Sequence, residues 1–209
     1  MAGQPQAKLE HLHRLIASWP GLTSEGDPAL IADCLVLLDL LGDARRLVDV
    51  GSGGGLPGLP LKIARPELEL TLIESSRRKA AFLVQACARL GVEAQVIRAR
   101  AEDAGRDPRL RDSFDAATAR ALAPMAVLAE LCLPLVRPGG RLLAMKAAAE
   151  EEVARALPGI RRLGGELAEI VAAPSPLRER GQVVVIAKRE PTPPAFPRRP
   201  GVPARRPLG

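Results

Sequence analysis

From residue 47 onward, short runs of apolar residues alternate with longer stretches in which apolar residues recur at helical spacing. This alternation predicts an α/β fold with a mostly parallel sheet covered by helices. Seven strands are predicted, at residues 47–50, 70–74, 94–98, 114–119, 141–146, 167–171 and 183–188. The helices between them are predicted at residues 59–64, 77–90, 125–136 and 150–157.

Two further helices are predicted ahead of the sheet, at residues 7–18 and 28–41, where they would form an N-terminal helical cap. Asp27 is suited to cap the second of these helices, and Pro28 is suited to its first turn. Farther along the chain, a Pro-Gly-Gly sequence at 138–140 predicts a turn that ends one helix and leads into the strand at 141–146.

The segment 190–209 differs in composition from the rest of the chain. It contains seven prolines, and its four arginines against one glutamate supply half of the net charge of the protein. Such a composition predicts neither a strand nor a helix, and taken alone it favours a disordered basic tail over an arm on the surface. The chain thus divides into a cap at 1–43, a sheet domain at 44–189 and a Pro/Arg-rich arm at 190–209.

The overall composition is that of a globular protein with a basic bias. Hydrophobic residues make up 47% of the 209 positions, and the net charge is +6. That charge favours a polyanionic partner, although a compositional bias toward arginine, which supplies 25 of the 30 basic residues, is the alternative. Aromatic residues make up only 2% of the chain, which excludes a sheet that stacks RNA bases on aromatic rings.

Membrane association and secretion are not expected. The longest apolar stretch, residues 121–136, is too short to span a bilayer and is interrupted by Pro124, Glu130 and Pro134. The N-terminal sequence lacks the apolar region of a signal peptide. We therefore expect a cytoplasmic protein.

The spacing of the cysteines and histidines does not indicate a metal site. Cys34, Cys87 and Cys132 lie within apolar helical patterns and have no close spacing, so they are expected to be buried thiols rather than disulfide partners or zinc ligands. His11 and His13 lie in the first predicted helix without a cysteine or carboxylate cluster beside them. No bound metal is predicted.

A glycine-rich loop carries the most specific chemistry. The first strand contains Asp49 and runs into Gly51, Gly53 and Gly55, after which a helix begins. Glycines allow positive φ angles, and without a Cβ they let a nucleoside lie against the backbone. Glu74 ends the next strand, where a carboxylate can accept hydrogen bonds from both ribose hydroxyls. The pattern predicts a nucleoside-containing cofactor.

Two cofactors are compatible with this loop. A dinucleotide would use the G-x-G-x-x-G spacing from Gly53 to Gly58. S-Adenosylmethionine has a sulfonium cation and no phosphate, so it tolerates Asp49, and Pro57 lacks an amide that a phosphate would need. Together with the Ala-Glu-Asp sequence at 101–103, where the adenine edge would lie, these features favour S-adenosylmethionine. An NAD-dependent oxidoreductase remains the alternative.

The segment after the fourth strand, residues 118–124, limits which atoms could accept the methyl group. It has neither an Asn/Asp-Pro-Pro-Tyr sequence, which binds an exocyclic amine, nor a cysteine nucleophile for pyrimidine C5. What remains is a nucleophilic ring nitrogen such as guanine N7, which needs alignment but no general base. Arg120 is the catalytic candidate, because the two-pronged guanidinium of an arginine can bind a carboxylate, a phosphate or guanine O6. Lys146 is the second candidate, for an RNA phosphate or a structural contact.

Cations at the start of the helix at 77–90 point to an anion. Arg77, Arg78 and Lys79 lie where the helix dipole disfavours positive charge. A solvated helix surface is the favoured interpretation, and an RNA phosphate, which would offset that cost, is the alternative.

The sequence Asp49-Val-Gly-Ser-Gly-Gly-Gly-Leu-Pro-Gly58 closely resembles the cofactor loop of the ribosomal RNA small subunit methyltransferase G family, also called glucose-inhibited division protein B. The resemblance extends from about Leu22 to the C-terminus. Further matching segments are Pro60-Leu-Lys-Ile-Ala-Arg-Pro66, Arg100-Ala-Glu102, Ala119-Arg-Ala-Leu-Ala123, Ala144-Met-Lys146, Val183-Val-Val-Ile-Ala-Lys188 and the tail Thr192-Pro-Pro-Ala-Phe-Pro-Arg-Arg-Pro-Gly-Val-Pro203.

The resemblance implies a class I S-adenosylmethionine-dependent methyltransferase with a Rossmann-like fold. It would methylate N7 of one guanine, nucleotide 527, in the decoding-region loop of 16S rRNA, acting as a monomer on free rRNA, an assembly intermediate or the 30S subunit. The matching tail favours an arm with a defined place. Expected cofactor-binding residues are Asp49, Gly51, Gly53, Gly55, Leu56, Glu74, Ser75, Ser76, Ala101, Glu102 and Arg120, and expected RNA-binding residues are Arg77, Arg78, Lys79, Arg198 and Arg199.

The cap departs from the family pattern. Where the family has Asn and His in its N-terminal signature, this chain has Gly21 and Leu30. A cofactor-binding RNA module without catalysis is therefore a second hypothesis.

Overall fold

The computed structural model describes residues 3–19, 22, 29–147, 149–175 and 177–208. Seven strands form one sheet, and their bounds are β1 Arg46–Val50, β2 Glu69–Ile73, β3 Ala94–Ile97, β4 Phe114–Arg120, β5 Val136–Lys146, β6 Gly165–Ala172 and β7 Gln182–Lys188. Their order is β3-β2-β1-β4-β5-β7-β6. Strand β7 is antiparallel to both of its neighbours, and the other pairs are parallel. The predicted seven-stranded, mostly parallel sheet is confirmed.

Helices cover both faces of the sheet. Their bounds are α1 Gly3–Ser18, α2 Ala29–Leu35, α3 Gly58–Ala64, α4 Arg77–Leu90, α5 Ala101–Ala104, α6 Met125–Cys132, α7 Glu150–Arg162 and α8 Val202–Arg205. One core contains buried side chains of α1 to α4, and the other contains those of α5 to α7. Because side chains alternate along a strand, neighbours such as Leu142 and Leu143 of β5 belong to opposite cores.

Helices α1 and α2 form the predicted cap and share a core with one face of the sheet. Leu12 and Cys34 are fully buried in that core. The ring of Trp19, just after α1, meets the ring of Phe82 of α4 edge to face, with their centroids 5.3 Å apart. Burial of these apolar side chains, rather than the intrinsic stability of two short helices, holds the cap on the sheet.

Helix α2 is shorter than predicted. It ends at Leu35, and a 3₁₀ turn at Asp39–Leu41 follows it, whereas one helix was expected at 28–41. The apolar run here has too few polar residues to set a helical period, so burial decides where the helix ends. Leu37, ahead of the turn, and Leu41, within it, are both fully buried. The predicted cap Asp27 and first-turn Pro28 lie outside the described residues.

The predicted helix at 125–136 and the turn after it are also corrected. Helix α6 ends at Cys132, and Leu133–Leu135 forms a 3₁₀ turn, because Pro134 has no amide hydrogen with which to continue the α-helical hydrogen bonds. The Pro-Gly-Gly sequence at 138–140 is not a turn before the strand but a bulge inside β5, where the register against β4 shifts. Gly140 allows that close approach, since a Cβ there would lie 2.5 Å from the Asp115 carbonyl oxygen.

Two proline-containing segments are more helical than predicted. Helix α7 continues past Pro158 to Arg162, because Ile160 and Leu163 are fully buried and their packing outweighs the lost backbone hydrogen bond. The arm contains the one-turn helix α8, although neither helix nor strand was expected there. The arm lies against the protein as the family resemblance implied, with Phe196 and Leu208 in the core that contains α5 to α7.

Candidate functional site

The glycine loop lies at the carboxyl end of β1, beside the end of β2. The amides of Gly51 and Ser52 donate to the carbonyl oxygen of Ile73, at 2.9 and 3.1 Å. Gly51 has φ +72°, and a Cβ there would lie 2.5 Å from Leu122 Cδ1. Gly53 has φ +53°, and a Cβ there would face open space, with the Gly51 carbonyl oxygen 3.8 Å away. The loop thus leaves room above Gly53 for a ligand.

Glu74 ties this loop to the end of β2. Its carboxylate accepts hydrogen bonds from the Gly53 amide at 3.0 Å and from the Ser76 amide at 2.7 Å, one on each oxygen. Each oxygen keeps a further lone pair for a ligand hydroxyl. Ser76 itself is the N-cap of α4, since its hydroxyl accepts a hydrogen bond from the Lys79 amide.

Several predicted cofactor residues line one cavity next to Glu74. Gly51, Ser75, Ala101 and Glu102 surround it, together with Leu122 from the segment after β4. Carboxylates therefore stand at two places around the loop, Glu74 where the ribose is expected and Glu102 where the adenine edge is expected. A glycine cradle open above Gly53, with these two acceptors, fits the nucleoside part of S-adenosylmethionine.

Asp49 lies beneath the loop rather than in the cavity. It is fully buried, and its Oδ2 accepts a hydrogen bond from the Gly58 amide at 3.1 Å. A Cβ on Gly58 would lie 2.9 Å from that oxygen, so only glycine fits there. Burial raises the pKa of Asp49 to about 7, against the opposing effect of the Gly58 hydrogen bond. Asp49 thus supports the loop from below.

Gly55 and Leu56 also face the core. A Cβ on Gly55 would lie 2.4 Å from Leu59 Cδ1, and Leu56 belongs to the core shared with the cap. These two residues shape the loop, and neither of them is among the described residues that line the cavity.

Arg120, the last residue of β4, faces the cap. Its Nε donates to Oδ2 of Asp33 in α2 at 3.2 Å, and its side chain is 20% exposed. Among the described residues, its two terminal nitrogens have no hydrogen-bond partner. An arginine held in this way at the rim of the sheet can present a two-pronged donor to an anion or a carbonyl.

Sequence patterns missed the cluster that holds Arg120 in place. Asp33 is fully buried, and its Oδ1 accepts hydrogen bonds from Arg178 Nε at 2.7 Å and from the Ser175 hydroxyl at 2.6 Å. Arg178 comes from the segment between β6 and β7, more than 140 positions away along the chain. No local pattern links residues so distant, although the buried position of a carboxylate in an apolar helix signals a cationic partner.

Lys146 makes structural contacts. Its Nζ donates to the carbonyl oxygen of Ala123 at 2.9 Å and to Glu152 at 2.7 Å, and its side chain is 13% exposed. These bonds fasten the segment that follows Arg120. Of the two roles predicted for Lys146, the structural one accounts for these contacts.

The predicted RNA-binding residues divide into two groups. Arg77, Arg78 and Arg199 are exposed, and Lys79 is half-buried. Arg198, in contrast, forms a two-pronged ion pair with Glu130 of α6, with contacts of 2.6 to 3.1 Å, and Glu130 is fully buried. Arg198 therefore anchors the arm and is not free to contact RNA in this arrangement.

Other reactive groups lie away from the site. All three cysteines are buried as predicted, and burial raises the pKa of the Cys34 thiol well above its ordinary value. Among the described residues, no group of three or more histidines, cysteines and carboxylates could hold a metal ion. None of the helices in the described part of the chain is long and apolar enough to span a bilayer.

Comparison with known proteins shows the family to which this chain belongs. Residues 26–174 match the model of the family described as rRNA small subunit methyltransferase G. The ribosomal RNA small subunit methyltransferase G of Pelotomaculum thermopropionicum is 52% identical over 171 residues, which cover 80% of this chain and 72% of that protein. The protein of the same name from Symbiobacterium thermophilum is 41% identical over 224 residues, covering 99% of this chain and 91% of that one.

The fold is similar to that of a solved methyltransferase. The T. thermophilus 16S rRNA N2 G1207 methyltransferase, determined in complex with AdoMet and guanosine, matches with a TM-score of 0.51 and 19% identity, over 80% of this chain and 40% of that one. At this identity the likeness concerns the fold alone, which is that of class I S-adenosylmethionine-dependent methyltransferases.

Proposed function

Since the chain belongs to the rRNA small subunit methyltransferase G family and uses S-adenosylmethionine, we propose that it methylates N7 of a guanine in the decoding-region loop of 16S rRNA, nucleotide 527. The observation that carries this proposal is Arg120, held by buried Asp33 at the end of β4 with both terminal nitrogens unpaired among the described residues. We further propose that the enzyme acts as a cytoplasmic monomer.

The methyl donor would lie across the carboxyl ends of β1 to β4. S-Adenosylmethionine supplies an electrophilic methyl group on its sulfonium. Glu74 is assigned to the ribose hydroxyls, because both of its oxygens are already oriented by the Gly53 and Ser76 amides. Glu102 and Ala101 are assigned to the adenine edge, and Gly51 and Gly53 to the backbone cradle.

A dinucleotide fits this loop less well. Pyrophosphate binding needs free backbone amides at the helix N-terminus. Pro57 has no amide hydrogen, and the amide of Gly58, the first residue of α3, is taken by Asp49. The negative charge of Asp49, when ionised, would also oppose a phosphate. These observations favour S-adenosylmethionine over NAD.

The acceptor assignment rests on what the rim lacks. Methylation of pyrimidine C5 needs a nucleophilic thiolate, and Cys34, the cysteine nearest in sequence to the cap cluster, is fully buried and donates its S–H to the Leu30 carbonyl. Guanine N7 has a free lone pair and loses no proton, so alignment is the main contribution required of the protein. Arg120 would supply it by holding guanine O6 or the cofactor carboxylate.

A basic surface beside the cavity is proposed to bind the RNA backbone. Strands β2 and β3 end side by side, since the Glu74 amide donates to the Ile97 carbonyl oxygen. This adjacency brings exposed Arg77 and Arg78 to the same edge as exposed Arg100. Exposed Arg199 follows on the arm, which is bound to Glu102 through Gly201. Four cations at one edge suit a phosphate backbone.

Transfer of a labelled methyl group tests the proposal. The wild-type chain, Arg120→Ala and Arg137→Ala would be incubated with labelled S-adenosylmethionine and either 16S rRNA or 30S subunits. We expect Arg120→Ala to fold and to lose transfer by about 100-fold or more, the cost of removing one preorganised donor. Arg137, whose partner Asp115 lies at the opposite edge of the sheet, is the matched control and should retain activity. Full activity in Arg120→Ala would contradict its assigned role, and no transfer by the wild type would favour a binding module.

A further inference from the structure

The arm is fastened along its whole described length. Near its start, Lys188 Nζ donates to the Thr192 hydroxyl at 2.7 Å, and that hydroxyl donates to the Leu163 carbonyl oxygen at 2.8 Å. Farther on, the Arg162 guanidinium lies over the ring of Phe196, 5.1 Å from its centroid. The end of the arm packs Leu208 on α7, where a Cβ on Gly159 would lie 2.4 Å from the Leu208 carbonyl oxygen.

Arginines outside the arm grip its backbone. Arg111 donates to the carbonyl oxygens of Thr192 and Phe196, the latter at 2.8 Å, and Arg106 Nε donates to that of Pro197 at 2.7 Å. With the Arg198–Glu130 pair added, these contacts fix the path of the chain up to α8. A segment fixed this closely has one defined position relative to α5.

The arm meets the cofactor cavity at one atom. The Gly201 amide donates to Oε1 of Glu102 at 2.9 Å, and Arg100 lies 3.4 Å from the same oxygen. Oε2 of Glu102 has no partner among the described residues, and the side chain lines the cavity. Burial acts to raise the pKa of Glu102, but the hydrogen bond from Gly201, with smaller contributions from Arg100, brings it below its ordinary value.

Gly201 has the conformation that this contact needs. Its φ is +80°, a left-handed value that side chains rarely adopt. Space is not the constraint, because a Cβ there would find Arg205 as its nearest neighbour at 3.8 Å. Glycine is therefore needed at this position for its backbone conformation, which points the amide at Glu102.

From this geometry we propose that Gly201 is a positioning residue for the cofactor, and that its amide turns Glu102 so that Oε2 accepts a hydrogen bond from the amino group of adenine. The inference rests on the proposed cofactor site. An amino group donates to the carboxylate, whereas the carbonyl of hypoxanthine would face it as a second acceptor. The arm thus acts on base selection, beyond holding the fold together.

Selectivity between two ligands separates this role from a structural one. Calorimetry would give the dissociation constants of S-adenosylhomocysteine and S-inosylhomocysteine for the full-length wild type, Gly201→Pro and Gly201→Asn. Proline removes the amide hydrogen and cannot adopt the left-handed φ. Asparagine keeps the amide and tolerates that φ better than other side chains, so it is the matched control. Glu102→Gln shows how much preference for S-adenosylhomocysteine over S-inosylhomocysteine remains without the carboxylate.

We expect the adenine preference of the wild type to fall by about tenfold in Gly201→Pro, toward that of Glu102→Gln, and to persist in Gly201→Asn. If Gly201→Pro fails to fold, Gly201→Val in the full-length chain is used instead, since a β-branched residue disfavours the left-handed φ and so turns the amide away from Glu102. An unchanged preference in the variants that remove or redirect the amide would overturn the inference alone. Failure of the wild type to bind S-adenosylhomocysteine would instead overturn the cofactor site on which it rests.

Discussion

Asp49 is fully buried beneath the glycine loop, and its carboxylate accepts a hydrogen bond from the first amide of α3. The spacing of Asp49 and the three glycines predicts a nucleoside loop, and the structure has that loop at the end of β1. Whether a strand residue faces the ligand or the layer below depends on how the next helix packs, and here α3 brings the Gly58 amide onto the carboxylate. The residue is thus part of the loop's support, and its burial has a measurable consequence.

Replacement of Asp49 by Asn should change how stability depends on pH. The pKa of Asp49 is about 7 in the folded chain and 3.8 ordinarily, so the folded state holds the proton more tightly. Its contribution to stability is full below pH 4 and is lost as the pH rises through 7. Relative to Asp49→Asn, the wild type should therefore lose up to about 4 kcal/mol of unfolding free energy between pH 4 and 7.

Denaturant unfolding at several pH values measures this difference. Exposed Asp43→Asn removes the same charge and serves as the control, for which we expect a pH dependence close to that of the wild type. A parallel loss of stability in the wild type and Asp49→Asn would show that the buried carboxyl does not titrate as proposed.

At the scale of elements, local pattern predicts most of the fold. All seven strands and the helix at 77–90 follow from the pattern of apolar residues, because each element buries apolar side chains against a core. The errors fall where tertiary packing overrides local preference, as when α7 continues past Pro158. The arm is the largest case, since its proline content says nothing about Glu130, the fully buried partner of Arg198.

Breaking this ion pair should destabilise the protein. Arg198→Met leaves the Glu130 carboxylate buried without its partner, so we expect a loss of about 3 kcal/mol or more in unfolding free energy. The double variant Arg198→Met/Glu130→Met removes the isolated charge and should recover part of that loss. Exposed Arg205→Met is the control and should have little effect.

Thermal or denaturant unfolding of the wild type, Arg198→Met, Glu130→Met and the double variant gives the coupling energy between the two residues. An Arg198→Met chain as stable as the wild type would mean that the arm is not held by this pair. Equal losses of unfolding free energy in Arg198→Met and in the double variant would mean that the unpaired Glu130 carboxylate carries no cost of its own.

At the scale of the whole molecule, the distribution of charged residues, rather than the net charge, indicates where a polyanionic partner would bind. A net charge of +6 indicates a polyanionic partner but not the surface that binds it. The pairing of β2 with β3 brings Arg77, Arg78 and Arg100 to the carboxyl edge. The arm approaches this edge where Gly201 is bound to Glu102, two residues after Arg199. Conversely, Arg198 belongs to the same basic tail and is used internally. Of the predicted site residues, four that follow strand ends line the cavity, namely Gly51, Ser75, Ala101 and Glu102. Contacts across distant segments, such as Asp33 with Arg178, were missed.

The salt dependence of RNA binding should locate this surface. If Arg77 and Arg78 each contact a phosphate, Arg77→Gln/Arg78→Gln should reduce the slope of log affinity against log salt by about 1.4 to 1.8. Arg45→Gln/Arg46→Gln makes the same change of charge at the opposite edge of the sheet and should leave the slope nearly unaltered. Binding of 16S rRNA measured across a salt series provides both slopes, and equal slopes for the two double variants would argue against the proposed RNA surface.

The identity of the methylated nucleoside distinguishes methylation of guanine N7 from methylation of any other acceptor. Small-subunit RNA lacking the modification would be treated with the wild-type chain and S-adenosylmethionine, digested to nucleosides and analysed by mass spectrometry against standards. We expect one product, N7-methylguanosine, that maps to the decoding-region loop. Methylation on an exocyclic amine, on another base or at another region of the RNA would contradict it.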